Sequence, residues 1–285
     1  MKRVLIIGIG AGDPDHLTLQ AVKAIAAADV FFVLGKGSGE TSGEVPGEGS
    51  AHDLVRLRRN VIGAHAREPY RVVEARDPER DRTGDAYSEA VEDWRARRAD
   101  VYERLILDEL GQGQTGAILV WGDPSLYDST LAVVDEVLAR GSARFDHTVI
   151  PGVSSVSALA ARHRVSLTRV ARPLQVTTGR RLARAIGAGT GPAGGSDEFG
   201  DVVVMLDAHC AFTDLPDGDD VDIYWGAYLG TPDEILISGR VRDVAERIRE
   251  TRAQARARKG WIMDTYLLRR APEAGERPPS GTGVS

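Results

Sequence analysis

One cysteine, Cys210, is all that 285 residues contain, which excludes an internal disulfide and a zinc cluster built on cysteine. Such usage fits a reducing cytoplasm. Lysine is almost as scarce: Lys2, Lys23, Lys36 and Lys259 are the only ones, so arginine supplies nearly all of the 36 basic side chains. Either a GC-rich genome or a need for guanidinium forks that grip carboxylates explains that bias. Positive charge is in deficit overall, since 42 acidic residues leave a formal net charge of −6, which argues against a general nucleic-acid binder. No apolar stretch reaches the roughly 18 residues that cross a bilayer, so no membrane partner is expected. The six histidines are scattered without ligand spacing, so no metal site is expected.

Complete phosphate signatures are missing as well. "GIGAGDPDHLT" (residues 8–18) would need glycine at position 13 to read as G-x-G-x-x-G, and Asp13 stands there. Its carboxylate would repel a pyrophosphate. The acidic residue of the dinucleotide pattern is absent after "VFFVLGK". "GKGSGE" fails as a phosphate loop because Val30 and Gly37 occupy the places of a glycine and a hydroxyl residue. NAD(P) and ATP are therefore not expected ligands.

What is present, 42% hydrophobic and 27% charged residues, describes a soluble globular protein long enough for two domains. The opening "MKRVLIIGIGAGD" has the basic residues of a signal peptide, but glycines break its apolar run and no cleavage site follows. It reads as a first strand that stays in place. Apolar runs predict buried strands at Val4–Ile9, Val30–Leu34, Ala117–Trp121 and Thr148–Ile150. Helical patterns cover Asp15–Ala28, Asp85–Leu110, Ser129–Arg140 and Ser155–Arg164, and Gly35–Ser50 reads as a mobile loop. This alternation predicts a mainly parallel first sheet. After Pro173 come shorter strands at Leu174–Thr178, Val202–Leu206, Ile223–Leu229, Glu234–Ile237 and Trp261–Leu268, with a helix at Val241–Lys259. Several of these follow one another without a long helix, so the second sheet should be mixed. The expected organisation is an α/β domain over 1–171, a second over 172–272, and a disordered tail over 273–285.

Three turns carry the chemistry. In "WGDPSLYDS" (121–129) a hydrophobic strand runs straight into Gly122, Asp123 and Pro124. Glycine lets backbone approach a ligand and proline stiffens the turn. Gly10 and Ala11 form a second turn, and in "IPGVSSVSALAA" Ser154 and Ser155 sit where a strand passes into a helix. Hydroxyls and free amides there can hold polar groups of a ligand. Taken singly, Asp123 reads equally well as a turn cap and Ser154 as a helix cap.

Together, "GIGAGDPDHLT", "WGDPSLYDS" and "IPGVSSVSALAA", with "VVVMLDAH" and "TPDEILISGRV" further on, resemble the S-adenosylmethionine-dependent tetrapyrrole (uroporphyrinogen and precorrin) methylases. Ala11 departs from the proline that many of those proteins carry. The resemblance implies two α/β domains with the cofactor in the cleft between them. It implies cofactor contacts at Gly10, Ala11, Gly122, Asp123, Pro124, Ser154, Ser155, Met205, Ala227 and Tyr228, with S-adenosylhomocysteine as product. A tetrapyrrole partner, a cytoplasmic homodimer and a place in cobalamin synthesis follow from it too. "HDLVRLRR", "PYRVVEARDPERDR", "YSEAVEDWRARRADVY" and "GWIMDTYLLRR" are similar to the member that methylates precorrin-5 at carbon 1 and releases its acetyl group as acetate. The rivals are another methylase of the same fold acting at another ring position or on another substrate, and a non-catalytic cofactor-binding protein.

Methyl transfer from an activated sulfonium asks mainly for alignment. Deacetylation needs water to attack a carbonyl; Asp13, Asp207 and His209, at strand-end loops, are candidates to assist. His209 and Cys210 are adjacent and would face opposite ways in a strand, which argues against a nucleophilic pair. A precorrin carries many carboxylates, so an acidic chain needs a local cationic cluster. Arg71, Arg80 and Arg82, with Arg76, offer one in "PYRVVEARDPERDR", unless Glu74, Asp77, Glu79 and Asp81 neutralise them.

Overall fold

A computed structural model describes residues 1–35, 49–79, 87–170, 172–189, 200–215 and 220–270. Most of the mobile loop expected after Gly35, the tail over 273–285, and both Arg80 and Arg82 lie outside the described residues. The chain divides into two compact units, Met1–Ser155 with Lys259–Trp261, and Val156–Arg258 with Ile262–Ser285.

The first unit holds five strands: β1 (Lys2–Gly8), β2 (Val30–Gly35), β3 (Arg71–Arg76), β4 (Thr115–Val120) and β5 (Phe145–Ile150). Their order is β3-β2-β4-β1-β5, and every pair is parallel. Helices α1 (Leu19–Ala26), α2 (Gly49–His65), α3 (Tyr87–Glu109) and α4 (Thr130–Arg140) cover the sheet. Alternation along the strands builds two cores from one sheet. Val4, Ile6, Phe32, Ile118 and Val120 meet Ala99, Tyr102 and Ile106 of α3 and Val133, Val134 and Val137 of α4. Leu5, Ile7, Phe31, Val33 and Leu119 meet Ala21 and Ile25 of α1 and Val61 and Ile62 of α2.

The region expected as one helix from Asp15 is split. Pro14–His16 is a 3-10 turn capped by the Asp13 side chain. α1 then starts afresh, with Thr18 Oγ1 accepting from the Ala21 N–H at 3.0 Å. Such a second cap resets the register, which continuous apolar spacing conceals.

In the second unit, α5 (Ser155–His163), α6 (Gly179–Gly187) and α7 (Val241–Lys259) accompany β6 (Leu174–Thr178), β7 (Asp201–Met205), β8 (Val221–Ala227), β9 (Ile235–Arg240) and β10 (Asp264–Arg270). The sheet order is β6-β7-β10-β8-β9. β6 and β7 are parallel and the other neighbours antiparallel, so this sheet is mixed. The sequence places the change of domain at residue 171, whereas the compact units part at Ser155. α5 explains the difference, because it attaches to the second sheet. Arg162 pairs with Glu234 at 2.5 Å, and His163 Nε2 lies 3.0 Å from the Trp225 carbonyl.

The His163 ring also meets Tyr224 edge-on, with centroids 5.6 Å apart. Burial holds its imidazole below the ordinary value of 6.5, against the raising influence of the Trp225 carbonyl and Glu234. A lowered folded-state value means stability that is full above the unfolded value and lost as pH falls through the folded one. Urea midpoints should therefore drop on acidification below about pH 6.5, and His163→Gln should flatten that part of the profile. An unchanged acid limb in the variant contradicts the assignment.

Among the described residues, no helix is long and apolar enough to cross a membrane.

Candidate functional site

β1 sends the chain toward β2, while β4 sends it across β1 toward β5, so the carboxyl ends of β1 and β4 flank the point where strand order reverses. Open α/β sheets bind ligands at such crevices. Here the turns after β1 and β4 are joined by a bridge: Gly122 N–H donates to the Gly10 carbonyl at 2.8 Å, and Gly10 N–H to that of Gly122 at 3.3 Å. Trp121 Nε1 reaches the Ala11 carbonyl at 2.8 Å, and its ring meets Trp261 edge-on.

The turn after β5 closes on the other two. A Cβ on Gly152 would lie 2.2 Å from the Gly122 carbonyl oxygen, and one on Gly8 would lie 2.6 Å from the Gly152 nitrogen. These glycines exist because three backbones touch. Gly122 differs: its φ of +72° demands glycine or a strained residue, yet a Cβ there would meet nothing within 4 Å. Its backbone is buried and borders open space.

Asp123 clamps this arrangement. One carboxylate oxygen accepts from Gly152 N–H at 2.9 Å, and the other from the Ser125 N–H at 2.8 Å and from the Ser125 hydroxyl. Burial alone would raise its carboxyl, but the bonds from Ser125 and Gly152 outweigh it and leave it below the ordinary value. Pro124 is buried beside it. Ser154 is buried at the entrance to α5, and Ser155 is its first residue. Gly10, Ala11, Gly122, Asp123 and Pro124 are thus brought together by the switch point, and the Gly152 contact ties in the turn that leads to Ser154 and Ser155.

In the second unit Met205 and Ala227 end β7 and β8, both antiparallel to β10, so they share one end of the sheet. Met205 is half-buried, Ala227 fully buried, and Tyr228 2% exposed. Tyr228 has a left-handed φ of +49° and its backbone is engaged: its N–H donates to Met263, and its carbonyl accepts from Thr231. Leu206, after β7, also has positive φ and is 59% exposed.

Asp207 is a cap. It is 5% exposed, and its carboxylate accepts from the backbone N–H groups of His209 (3.0 Å) and Ala211 (2.7 Å) and from the Tyr266 hydroxyl (2.6 Å). Burial, then the Asp207 charge, pushes the Tyr266 phenol well above its ordinary value. Arg252 secures the same loop, donating to the Asp207 carbonyl and to Asp264, which also receives the Trp225 indole N–H. His209 is exposed beside a cavity of about 390 Å³ that Cys210, Arg249 and Arg252 also line. Asp13 is half-buried and accepts from Asp15 N–H at 2.9 Å.

Of the arginines expected to dock the substrate, Arg71 pairs with the Glu109 carboxylate at 3.0 Å and donates to the Glu109 carbonyl at 2.6 Å. Arg76 pairs with Glu79 on the surface. Glu74 is engaged by Arg59, and Asp77 by Arg98. Gly8 and Gly152 went unnoticed in the sequence as members of the site; only a three-dimensional approach of strands distant in sequence reveals them.

A family model for Tetrapyrrole (Corrin/Porphyrin) Methylases matches residues 3–245. A precorrin-6A synthase [deacetylating] of a Sinorhizobium species is 46% identical over 277 residues, covering 97% of this chain and 98% of that protein. A precorrin-2 C(20)-methyltransferase of Sinorhizobium is 31% identical over 54% of this chain and 55% of its own. Among solved structures, a cobalamin synthesis related protein (CobF) from Corynebacterium diphtheriae superposes with a TM-score of 0.76 at 32% identity, covering 95% of this chain and 100% of that one. The uroporphyrin-III C-methyl transferase of Thermus thermophilus, solved with S-adenosylhomocysteine, shares the fold: TM-score 0.53, 19% identity, and coverage of 94% and 92%.

Proposed function

The chain belongs to the tetrapyrrole (corrin/porphyrin) methylase family, and we propose that it is the S-adenosylmethionine-dependent methyltransferase of cobalamin biosynthesis that converts precorrin-5 to precorrin-6A, methylating carbon 1 and releasing acetate. The observation that carries this reading is the 46% identity to a precorrin-6A synthase across nearly the whole of both chains. Cytoplasmic work as a homodimer belongs to the same reading, and sedimentation at twice the chain mass would support the dimer.

The residues fit an S-adenosyl ligand. Bare backbone at Gly122 borders open space, and neither phosphate signature is complete. When bound, the cofactor supplies a methyl group already activated by its sulfonium. The chain's task is then to align and to exclude water. Gly10, Ala11, Gly122 and Pro124 offer backbone and a stiff turn; Ser154 and Ser155 offer hydroxyl and amide groups. Asp123 holds the turn through Gly152 and Ser125. Within the second unit, Met205 and Ala227 share one end of the sheet, and the Tyr228 N–H and carbonyl are taken by Met263 and Thr231. For deacetylation, Asp207 is the poorest base of the three candidates because three donors already occupy its carboxylate; Asp13 carries a single backbone donor and His209 is exposed.

S-adenosylhomocysteine at saturation should raise the melting temperature, with micromolar affinity, roughly −8 kcal/mol. NADPH and ATP should give no shift. Methyl-labelled S-adenosylmethionine should pass its label to precorrin-5. A silent calorimetric titration with S-adenosylhomocysteine sinks the proposal.

A further inference from the structure

Arg58, on α2, occupies a gap that the first sheet itself opens. β2 and β4 pair only from Val30–Gly116 to Phe32–Ile118, although β2 continues to Gly35 and β4 to Val120. Successive carbonyls of a strand face opposite neighbours. The Val120 carbonyl faces β1, accepting from Ile9 N–H at 2.9 Å, so the Leu119 carbonyl faces the side from which β2 has parted. Arg58 Nε donates to that carbonyl at 2.9 Å. The bond anchors the guanidinium at the carboxyl ends of the strands and leaves both terminal amino groups uncommitted. Among the described residues no carboxylate stands within ion-pair distance of it.

The neighbouring cation is spoken for. Arg98 pairs with Asp77 Oδ1 at 2.9 Å, donates to Ser129 Oγ at 2.9 Å, and lies 4.7 Å over the Trp94 ring. Desolvation pushes Arg58 below the ordinary arginine value, countered by Tyr102, then deepened by Arg98. An anion between the terminal amino groups would relieve that cost.

We propose that Arg58 is a binding residue for one carboxylate of the tetrapyrrole, received end-on by its two terminal amino groups. The chemistry is that of a planar, singly charged anion meeting a planar fork. Asp77 and Asp128 are near enough to influence Arg58, which disfavours a doubly charged phosphate. The inference rests on the proposed function for the identity of the carboxylate's owner; the cofactor's own carboxylate is the competing source.

The test uses the full chain with uroporphyrin I, an octacarboxylate, and its octamethyl ester as fluorescence probes, beside calorimetry with S-adenosylhomocysteine. Arg58→Gln should weaken uroporphyrin binding about tenfold or more, with the gap narrowing as salt rises. Arg58→Lys, which keeps the charge without the fork, should fall between. Ester binding and S-adenosylhomocysteine affinity should stay within about twofold of wild type, which also shows that the fold survives. Equal uroporphyrin affinity in wild type and Arg58→Gln overturns the proposal. So does an equal loss toward the ester, a loss confined to S-adenosylhomocysteine, or a wild type that binds no uroporphyrin. Turnover of precorrin-5 by the wild type is measured separately. Absent turnover with Arg58-dependent uroporphyrin binding sinks the functional reading alone, and turnover with an unchanged KM in Arg58→Gln sinks the carboxylate subsite alone.

Discussion

Gly152→Ala should lose both stability and cofactor affinity. Its new Cβ would lie 2.2 Å from the Gly122 carbonyl oxygen and 2.9 Å from the backbone of Gly8, distances at which backbone must move. No flexible side chain is present to yield. Overpacking of this kind costs about 1–3 kcal/mol. The shift is delivered to the Gly10–Gly122 bridge and to the bond from Gly152 N–H to Asp123, so S-adenosylhomocysteine should bind at least about tenfold more weakly, near 1.4 kcal/mol. Gly122→Ala gives the contrast. Its Cβ meets nothing, and only the φ of +72° is strained, at about 1–2 kcal/mol. Yet that methyl would point into the space assigned to the ligand. Denaturation midpoints and calorimetry on the two variants separate the roles. Wild-type affinity in both would show that the three turns do not hold the cofactor.

Asp201→Ala should destabilise the second unit most. Asp201 is 1% exposed and its carboxylate takes Arg169 at 2.6 Å and Arg269 at 2.8 Å. Arg269 is itself largely buried and also donates to the Ser166 carbonyl, at 2.6 Å. Removing the carboxylate leaves two guanidiniums facing one another without a counter-charge. Breaking a buried pair in this way costs about 3–5 kcal/mol; Arg169 is partly open to water, which places the expectation at the lower end. Asp201→Asn should lie between, since it keeps an acceptor. A loss under about 1 kcal/mol for Asp201→Ala, read from urea unfolding, contradicts a buried anchor and matches a surface pair.

Much of this was legible in the sequence where a strand is buried on both faces. Val4–Ile9 and Ala117–Trp121 read as continuous apolar runs and emerged as β1 and β4 almost unchanged. β3 escaped because "RVVEAR" is a largely exposed edge strand whose apolar run is only two residues long, broken by Glu74 and flanked by Arg71 and Arg76, and its arginines drew a reading as a docking cluster. α2 escaped because it begins at Gly49, inside a stretch rich in glycine, serine and glutamate. α6 starts on the glycine that follows β6 and buries only Gly179 and Leu182. β5 begins at Phe145 rather than Thr148, since an edge strand tolerates an exposed Asp146 and a half-buried His147. For the site, Gly122 and Asp123 were visible as a turn. The double use of the Asp123 carboxylate was not, because its partner Gly152 lies in another loop. Asp207, named as a candidate base for standing after a strand, turned out to cap its own loop with help from Tyr266, a contact 59 residues distant.

Acetate release counted against methyl transfer tests the proposed reaction most directly. Purified full-length chain is given precorrin-5 and methyl-labelled S-adenosylmethionine, and the labelled macrocycle, S-adenosylhomocysteine and acetate are quantified by mass spectrometry over one time course. One acetate should appear for each methyl group transferred, with label on carbon 1. Methylated product that keeps its acetyl group, or no methylated product with wild-type binding of S-adenosylhomocysteine, would contradict the assignment as a deacetylating methylase.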